Sequence, residues 1–303
     1  MYKIWYIKKG DNMNNINNIN NLILDEERAL YHITDSNIVN CRFDGPKDGE
    51  SAIKECRNIH IIECYFNLRY PIWHTYPVTM TRSTMTEFCR AALWYCHNVK
   101  IEQSKLYGIK ALRECQNIEI SQCDIISKEF GWKNDDLKMV DSTLEGEYAF
   151  FDSKNLVIKN LKFVGKYSFQ YCKNLTIENS YLDTKDAFWH SENVVIKDSY
   201  VKGEYLAWYA KNVTFINCTI EGTQPLCYCK NLVLKDCKMI KTDLSFENSE
   251  VNASIIGHIE SIKNPLSGCV IADTIGDTIR DDQIYGCKAE IILRKKWIRK
   301  IVN

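Results

Sequence analysis

Five of the seven tryptophans, Trp73, Trp94, Trp132, Trp189 and Trp208, stand four residues ahead of a recurring position usually held by Asn. The residue after each is His74, Tyr95, Lys133, His190 or Tyr209, and Glu114, Asp152, Tyr171 and Tyr228 fill that place where no Trp precedes it. Seven or eight residues ahead of the same marker runs a charged strip of Arg69, Arg90, Lys110, Glu129, Glu147, Asp186 and Glu204. Arg113 takes the place of Trp in its own repeat. Flat rings beside carboxylates and guanidinium groups on one extended track suit a saccharide chain. Arg69, Arg90, Lys110 and Arg113, on successive repeats, suit its uronate or phosphate groups, because planar or multivalent cations meet such anions with paired hydrogen bonds.

Catalysis on such a track has two forms. Glycoside hydrolysis needs two carboxylates about 5 to 9.5 Å apart. Glu114 and Asp152 share a column two coils apart, roughly 9 to 10 Å at the inter-strand spacing, with Lys133 between them to hold both ionised. Glu129 and Glu147, one coil apart in nearby columns, are the better spaced pair. A lyase instead needs a base, here Lys110 or Arg113, and often Ca²⁺ to acidify the proton beside a uronate. The catalytic candidates are therefore Glu129, Glu147, Arg113 and Lys110. The binding candidates add Arg69, Trp73, His74, Arg90, Trp94, Trp132, Asp186, Trp189, His190, Glu204 and Trp208. No nucleophile triad, phosphate loop or dinucleotide fingerprint appears. Cys227-x-Cys229 is half a metal site with no partner pair at the required spacing, so no resident metal or cofactor is expected beyond the Ca²⁺ of a lyase.

The elements that carry these columns follow from the marker. Asn155, Asn174, Asn193, Asn212 and Asn231 recur every 19 residues, and the same step backward reaches Asp136, Asn117 and Asn98. A fixed step is the signature of a solenoid. One and three residues after the marker come Leu156 and Ile158, Leu175 and Ile177, Val194 and Ile196, Val213 and Phe215. That is period-two alternation, a strand with an apolar inner face. A second alternating run follows at Ser180 and Leu182, Ser199 and Val201, Cys218 and Ile220, then a glycine turn at Gly146, Gly165, Gly203 and Gly222, then a third run such as AFW or LAW. The spacing predicts an all-β, single-stranded, right-handed parallel β-helix with about 19 residues and three short strands per coil. Helical repeats need periods of roughly 33 to 47 residues, and the segments here are too short and too β-branched for them. The stacked markers predict an amide ladder at about 4.8 Å spacing. The alternation breaks at the turn beside the Trp column and leaves the direction of those rings open.

The expected layout is a disordered leader over residues 1–21, with its polar MNNINNINN run, and one β-helix over 22–303 with capping elements at the C-terminal end. Two looser coils are marked near Asn37 and at Asn58, Asn252 is a late marker, and RKKWIRK over 294–300 is a basic tail or cap. Open ends of a solenoid recruit other chains unless covered, so a homo-oligomer through a flank or an open end is one expected partner. Lys plus Arg equals Asp plus Glu at 39 each, which gives no global charge for nucleic acid or an anionic membrane. No run of apolar residues is long enough to span a bilayer. The 14 cysteines fall in repeat columns shared with Ser and Ala, where Cys acts as a small buried hydrophobe. With no export signal in Met1 to Gly10, a reduced, cytoplasmic protein is expected.

The segments GESAIKE, YPIWH, CRAALWY, GIKALRE, FGW, GKYSFQY, TKDAFWH, GEYLAWY, TQPLCYC and SIKNPLSG, with ERALY at the start, resemble an uncharacterised bacterial family, domain of unknown function 3737. Its members are similar to pectin-lyase-like right-handed β-helices, and the resemblance runs from about Glu27 to Asp282. It implies the fold and brings no activity and no catalytic residues. The broader group includes pectate lyases, polygalacturonases, rhamnogalacturonases and phage tailspikes. This chain lacks both the clustered Asp, Gly-His-Gly and Arg-x-Lys set of the polygalacturonase kind and the Trp-x-Asp-His stretch of the pectate lyase kind. The sequence therefore predicts a β-helix that binds, or binds and processes, an acidic or phosphorylated saccharide as a lyase or glycoside hydrolase. The alternative is a non-catalytic scaffold using the same flank for a protein partner.

Overall fold

A computed structural model describes residues 16–45 and 50–294. The chain is a parallel β-solenoid of about 14 turns with roughly 19 residues in each. The described residues contain no helix, and so none long and apolar enough to cross a membrane.

Most coils carry one long and one short strand. The long strands stack in register, Lys154–Lys159 on Lys173–Glu178, Glu192–Lys197 and Lys211–Ile216, so that Leu156 pairs with Leu175, then Val194, then Val213. The inner residues at one and three places past the marker are buried, and β-branched side chains suit this half-buried pleat. The second sheet stacks Thr143–Glu147, Lys162–Lys166 and Tyr181–Lys185, with Leu144, Phe163 and Leu182 inside. The third strand expected in every coil occurs at Ile53–Lys54, Ile72–Trp73, Leu93–Trp94 and Leu112–Arg113. Beyond these it gives way to turns. The cause is a left-handed residue five places before the marker, Phe150, Phe169, Phe188, Ala207 or Leu226, with φ between 56° and 64°, which ends the extended run.

Left-handed corners also fix the amide ladder. The marker residues sit at φ near 55°, a conformation Asn tolerates. Asn117 donates to Asn98 at 2.6 Å, and Asn174, Asn193, Asn212 and Asn231 each donate to the Asn one coil before at 2.9 to 3.0 Å. At the N-terminal end the register moves the marker from Asn37 to Asp35, which accepts from Asn58 at 2.8 Å. Val251 pairs with Leu232, so Glu250 holds the marker place with the step of 19 kept, and Asn252 is an ordinary strand residue. Residues 1–15 of the expected leader, and 295–303 of the tail, lie outside the described residues. Asn17–Asn20 is a strand paired with Thr34–Val39, so the solenoid begins before Leu22.

The cysteine columns do more than fill space. All 14 thiols are free, and 12 are buried. At the corners the backbone N–H turns inward, away from the strand ladder, and needs an acceptor there. The side chain of the next coil supplies it: Cys115 N–H reaches Asn134 at 2.9 Å, Asn134 N–H reaches Ser153 at 2.9 Å, and Cys123 N–H reaches Ser142 at 3.1 Å. Side chains of this column also donate to a carbonyl of the preceding coil, Ser153 to Gly131 at 2.6 Å and Cys172 to Phe150 at 2.9 Å. Cys and Ser interchange because both donate and accept from one short arm. Burial pushes the Cys172 thiol up to about 12, which keeps the proton it donates.

Candidate functional site

The Trp column points outward. The residue before each Trp is inside the solenoid, as Ile72, Leu93 and Phe188 are, and the residue after it is at a left-handed corner, so the indole is set on the outer wall. Trp73 and Trp94 stack at 5.5 Å and 10°, with Lys54 Nζ 4.3 Å from the Trp73 ring centre. The Arg113 guanidinium lies 5.5 Å from Trp94 on one side and 5.5 Å from Trp132 on the other. Trp189 and Trp208 stack at 5.5 Å and 5°. Trp132, Trp189 and Trp208 each donate the indole N–H to a carbonyl one coil on, that of Tyr148, Tyr205 or Gln224, at 2.6 to 2.9 Å. Gln170 takes the same place and donates its amide to the Asp186 backbone carbonyl at 2.9 Å. The column is thus a seam tying neighbouring coils together.

The next column forms a second outer ladder. Tyr171, His190, Tyr209 and Tyr228 stack with centres 4.8 to 5.1 Å apart and planes within 13°. Parallel rings at that spacing cover one another's faces, so they turn edges to the solvent. His74 packs its ring edge to face against Tyr95 at 5.1 Å and lies 3.6 Å from Glu55.

The charged strip is largely paired with neighbouring charges. Arg69 meets Glu50 at 3.6 Å, Lys110 meets Glu129 at 3.1 Å, Arg113 meets Glu114 at 3.1 Å and Lys185 meets Glu204 at 3.4 Å. Arg90 is exposed. Glu147 lies between two lysines, Lys166 at 3.2 Å and Lys128 at 3.6 Å. An in-register stack would set like charges one coil apart, and alternating their sign turns that repulsion into a ladder. Lys159–Glu178–Lys197 repeats the device on the first sheet.

One stretch of the strip borders a groove. A cavity of about 500 Å³ runs along the axis, between Ile109, Lys128, Glu147 and Lys166 on one bank and Tyr107, Ile126, Glu145, Val164 and Asp183 on the other. Its floor is Ser127, Gly146 and Gly165. The floor is low because these positions are small: a Cβ on Gly165 would lie 1.8 Å from the Gly146 carbonyl oxygen, and one on Gly146 would lie 2.1 Å from that of Ser127. From Tyr107 to Asp183 the groove crosses five coils, about 19 Å at roughly 4.8 Å per step. Tyr107 is pinned by its hydroxyl donating to Asp124 at 2.6 Å.

Of the predicted residues, only Glu147 lines this groove. The hydrogen bond from Lys166, helped by the charge of Lys128, holds its carboxyl below the usual range. Asp186 behaves oppositely: it is 8% exposed, and burial pushes its carboxyl up despite Lys185 at 3.9 Å. Among the described residues no three His, Cys, Asp or Glu side chains converge as metal ligands. Cys227 and Cys229 are buried and donate to backbone carbonyls instead. The sequence reading missed Lys128, Lys166 and the bank of Tyr107, Ile126 and Val164. Their signal was present: apolar residues recur at an outward position of the second sheet, beside a column of Gly and Ser.

A family model described as "Protein of unknown function (DUF3737)" matches residues 17–292. No curated protein matches the chain. Among solved structures it is similar to the A-module of an Azotobacter vinelandii mannuronan C-5 epimerase, AlgE6, at 10% identity and TM-score 0.36, over 90% of this chain and 93% of that one. It is also similar to PfbA, a surface adhesin of Streptococcus pneumoniae, at 12% identity and TM-score 0.30, over 74% of this chain and 61% of that one. A GH136 lacto-N-biosidase from Eubacterium ramulus aligns at 8% identity and TM-score 0.33, over 92% of this chain and 68% of that one. At these scores none of the three transfers a site or an activity, and the fold rests on the strand register above.

Proposed function

This chain belongs to the DUF3737 family, and from that premise we propose that it binds an acidic saccharide lengthwise in the groove over Ser127, Gly146 and Gly165. The observation that carries this is the groove itself: a low backbone floor bordered, once per coil, by Lys128, Glu147 and Lys166. Uronate or phosphate groups would meet Lys128 and Lys166, displacing Glu147 from one of them, while Glu147 and Glu145 accept from hydroxyls. Ile109, Ile126 and Val164, 38 to 46% exposed, give the C–H faces of the sugar rings something to cover. Binding, not hydrolysis, is what these groups support, because an acid catalyst must hold a proton near neutral pH and Glu147 is kept ionised. The test is titration calorimetry with oligogalacturonate and with a neutral oligosaccharide of equal length. The acidic oligomer should bind, more weakly at high salt. The double variant Lys128→Ala, Lys166→Ala should lose about tenfold or more, the scale of a charge-assisted hydrogen bond of about 1.5–3 kcal/mol. Equal binding of both oligomers, no binding of either, or an unchanged double variant would overturn the reading.

A non-catalytic interaction module is the second reading, and one observation favours it. The outer ladder of Tyr171, His190, Tyr209 and Tyr228 offers a flat row of ring edges rather than open faces, which suits a protein surface better than a sugar chain.

A further inference from the structure

The outer ring ladder has an end, and the chain builds something there. Tyr228 is its last ring, because the next coil carries Glu247 in that column, with a carboxylate oxygen 3.4 Å from the Tyr228 hydroxyl. Beside this end opens a cleft of about 340 Å³, which shares no lining residue with the groove. Tyr209 and Tyr228 form one side, and Tyr285 joins them from the C-terminal loop. That loop is pinned. Asp282 accepts from the N–H groups of Ile284 and Tyr285 at 2.7 and 3.2 Å, the buried Asn264 accepts from Asp281 N–H at 2.9 Å, and Arg280 donates to the Ala289 carbonyl at 2.6 Å. Tyr285 is 65% exposed although its backbone is held, so its ring is presented rather than packed away.

The polar groups of the cleft are Lys230, Asn248 and Glu250. Their mixture selects the ligand class. A cation would suit three tyrosines and Glu250 but would face Lys230, and an anion would suit Lys230 but would face Glu250. A neutral ligand with an apolar face and hydroxyls around its rim conflicts with neither. The volume is at the small end of the range for ligand sites, about 300 to 1,000 Å³. We infer that this cleft is a binding site for a single neutral sugar ring, whose C–H face lies against Tyr285 and whose hydroxyls reach Lys230, Asn248 and Glu250. Burial, with the nearby Glu247 carboxylate, pushes the Tyr228 hydroxyl up to about 12, so it stays a donor. The site does not depend on the groove: its residues belong to coils that the groove does not reach.

The experiment is saturation-transfer NMR and calorimetry of the full chain against a panel of neutral hexoses, N-acetylhexosamines and their disaccharides, with tetramethylammonium and galacturonate as charged controls. At least one neutral sugar should bind, and neither control should displace it. Tyr285→Ala and Glu250→Gln should each weaken that sugar by about tenfold, the scale expected when a recognition anchor is removed. Both positions are exposed, so the variants keep the fold, and unchanged thermal unfolding checks it. The groove variant Lys128→Ala, Lys166→Ala should bind the neutral sugar as the wild type does. The inference is overturned if no neutral sugar in the panel binds, if a charged control displaces the neutral sugar, or if Tyr285→Ala and Glu250→Gln leave binding intact. Loss in the groove variant alone would place the sugar in the groove and overturn only this site.

Discussion

Phe188 and Trp189 are adjacent in sequence and face opposite ways through the same wall. Inside, Phe150, Phe169 and Phe188 stack at 5.0 Å with planes within 10°. Outside, Trp189 and Trp208 stack at 5.5 Å, and Tyr171, His190, Tyr209 and Tyr228 at 4.8 to 5.1 Å. The coil repeat imposes nearly the same ring spacing on both, and the surroundings alone separate them. The inner ladder adds full burial to its ring contacts, whereas the outer ladders keep water on one edge. A row of exposed aromatic residues is therefore no open platform when a parallel solenoid stacks them: their faces are already used on each other. Open space is left where the stacking stops, at the end of a ladder, and where no large side chain stands, over the glycine floor.

The largest expected difference is between the ladders themselves. Phe169→Ala should cost about 3–5 kcal/mol, because the rings on either side lose a buried partner and a cavity remains. Tyr209→Ala should cost roughly 0.5–1.5 kcal/mol, the contribution of a ring pair without deep burial. Urea unfolding of both variants checks this, and similar losses would break the distinction between inner and outer ladders. An intermediate effect comes from the corners. Ser153→Ala leaves the Asn134 N–H and the Gly131 carbonyl without their partner and should cost about 1–3 kcal/mol, while Ser153→Cys, which still donates and accepts, should recover most of it. Equal loss in both variants would show that the column needs oxygen rather than any short polar arm. The smallest effect is the pH response of the exposed ladder. Glu147 has a lowered folded value, so its contribution is present above the ordinary carboxylate value of about 4.3 and is lost as the pH falls through the folded one. Unfolding midpoints at about pH 7 and about pH 3 should fall less in Glu147→Gln than in the wild type. An identical fall would mean that the Lys128–Glu147–Lys166 ladder is only an arrangement of solvated charges.

The repeat was legible because each coil obeys the same local rules. The step of 19, the buried pairs such as Leu156 and Ile158, and the Asn ladder need only alternation and stacking to be read. The site was less legible. Orientation of the Trp column depended on two left-handed residues in succession around it, Phe188 and His190 in one coil, and left-handed aromatics leave no mark in an alternation pattern. The left-handed residue ahead of the Trp, Phe188 in that coil, also removed the third strand from the later coils. Cysteine columns read as apolar fillers proved to be hydrogen-bonding arms, because the inward N–H they serve exists only once the corner has formed.

Sequence by itself determined the coil, its period, its two principal sheets and the columns that stack. Identical positions must superpose when the chain winds at a constant step. Tertiary structure decided which columns face out, which charges are already paired and where a cavity opens. Each of these depends on side chains from coils 19 or more residues apart meeting across the stack, and on a C-terminal loop that carries Tyr285 to the end of a ladder whose last ring lies far earlier in the chain.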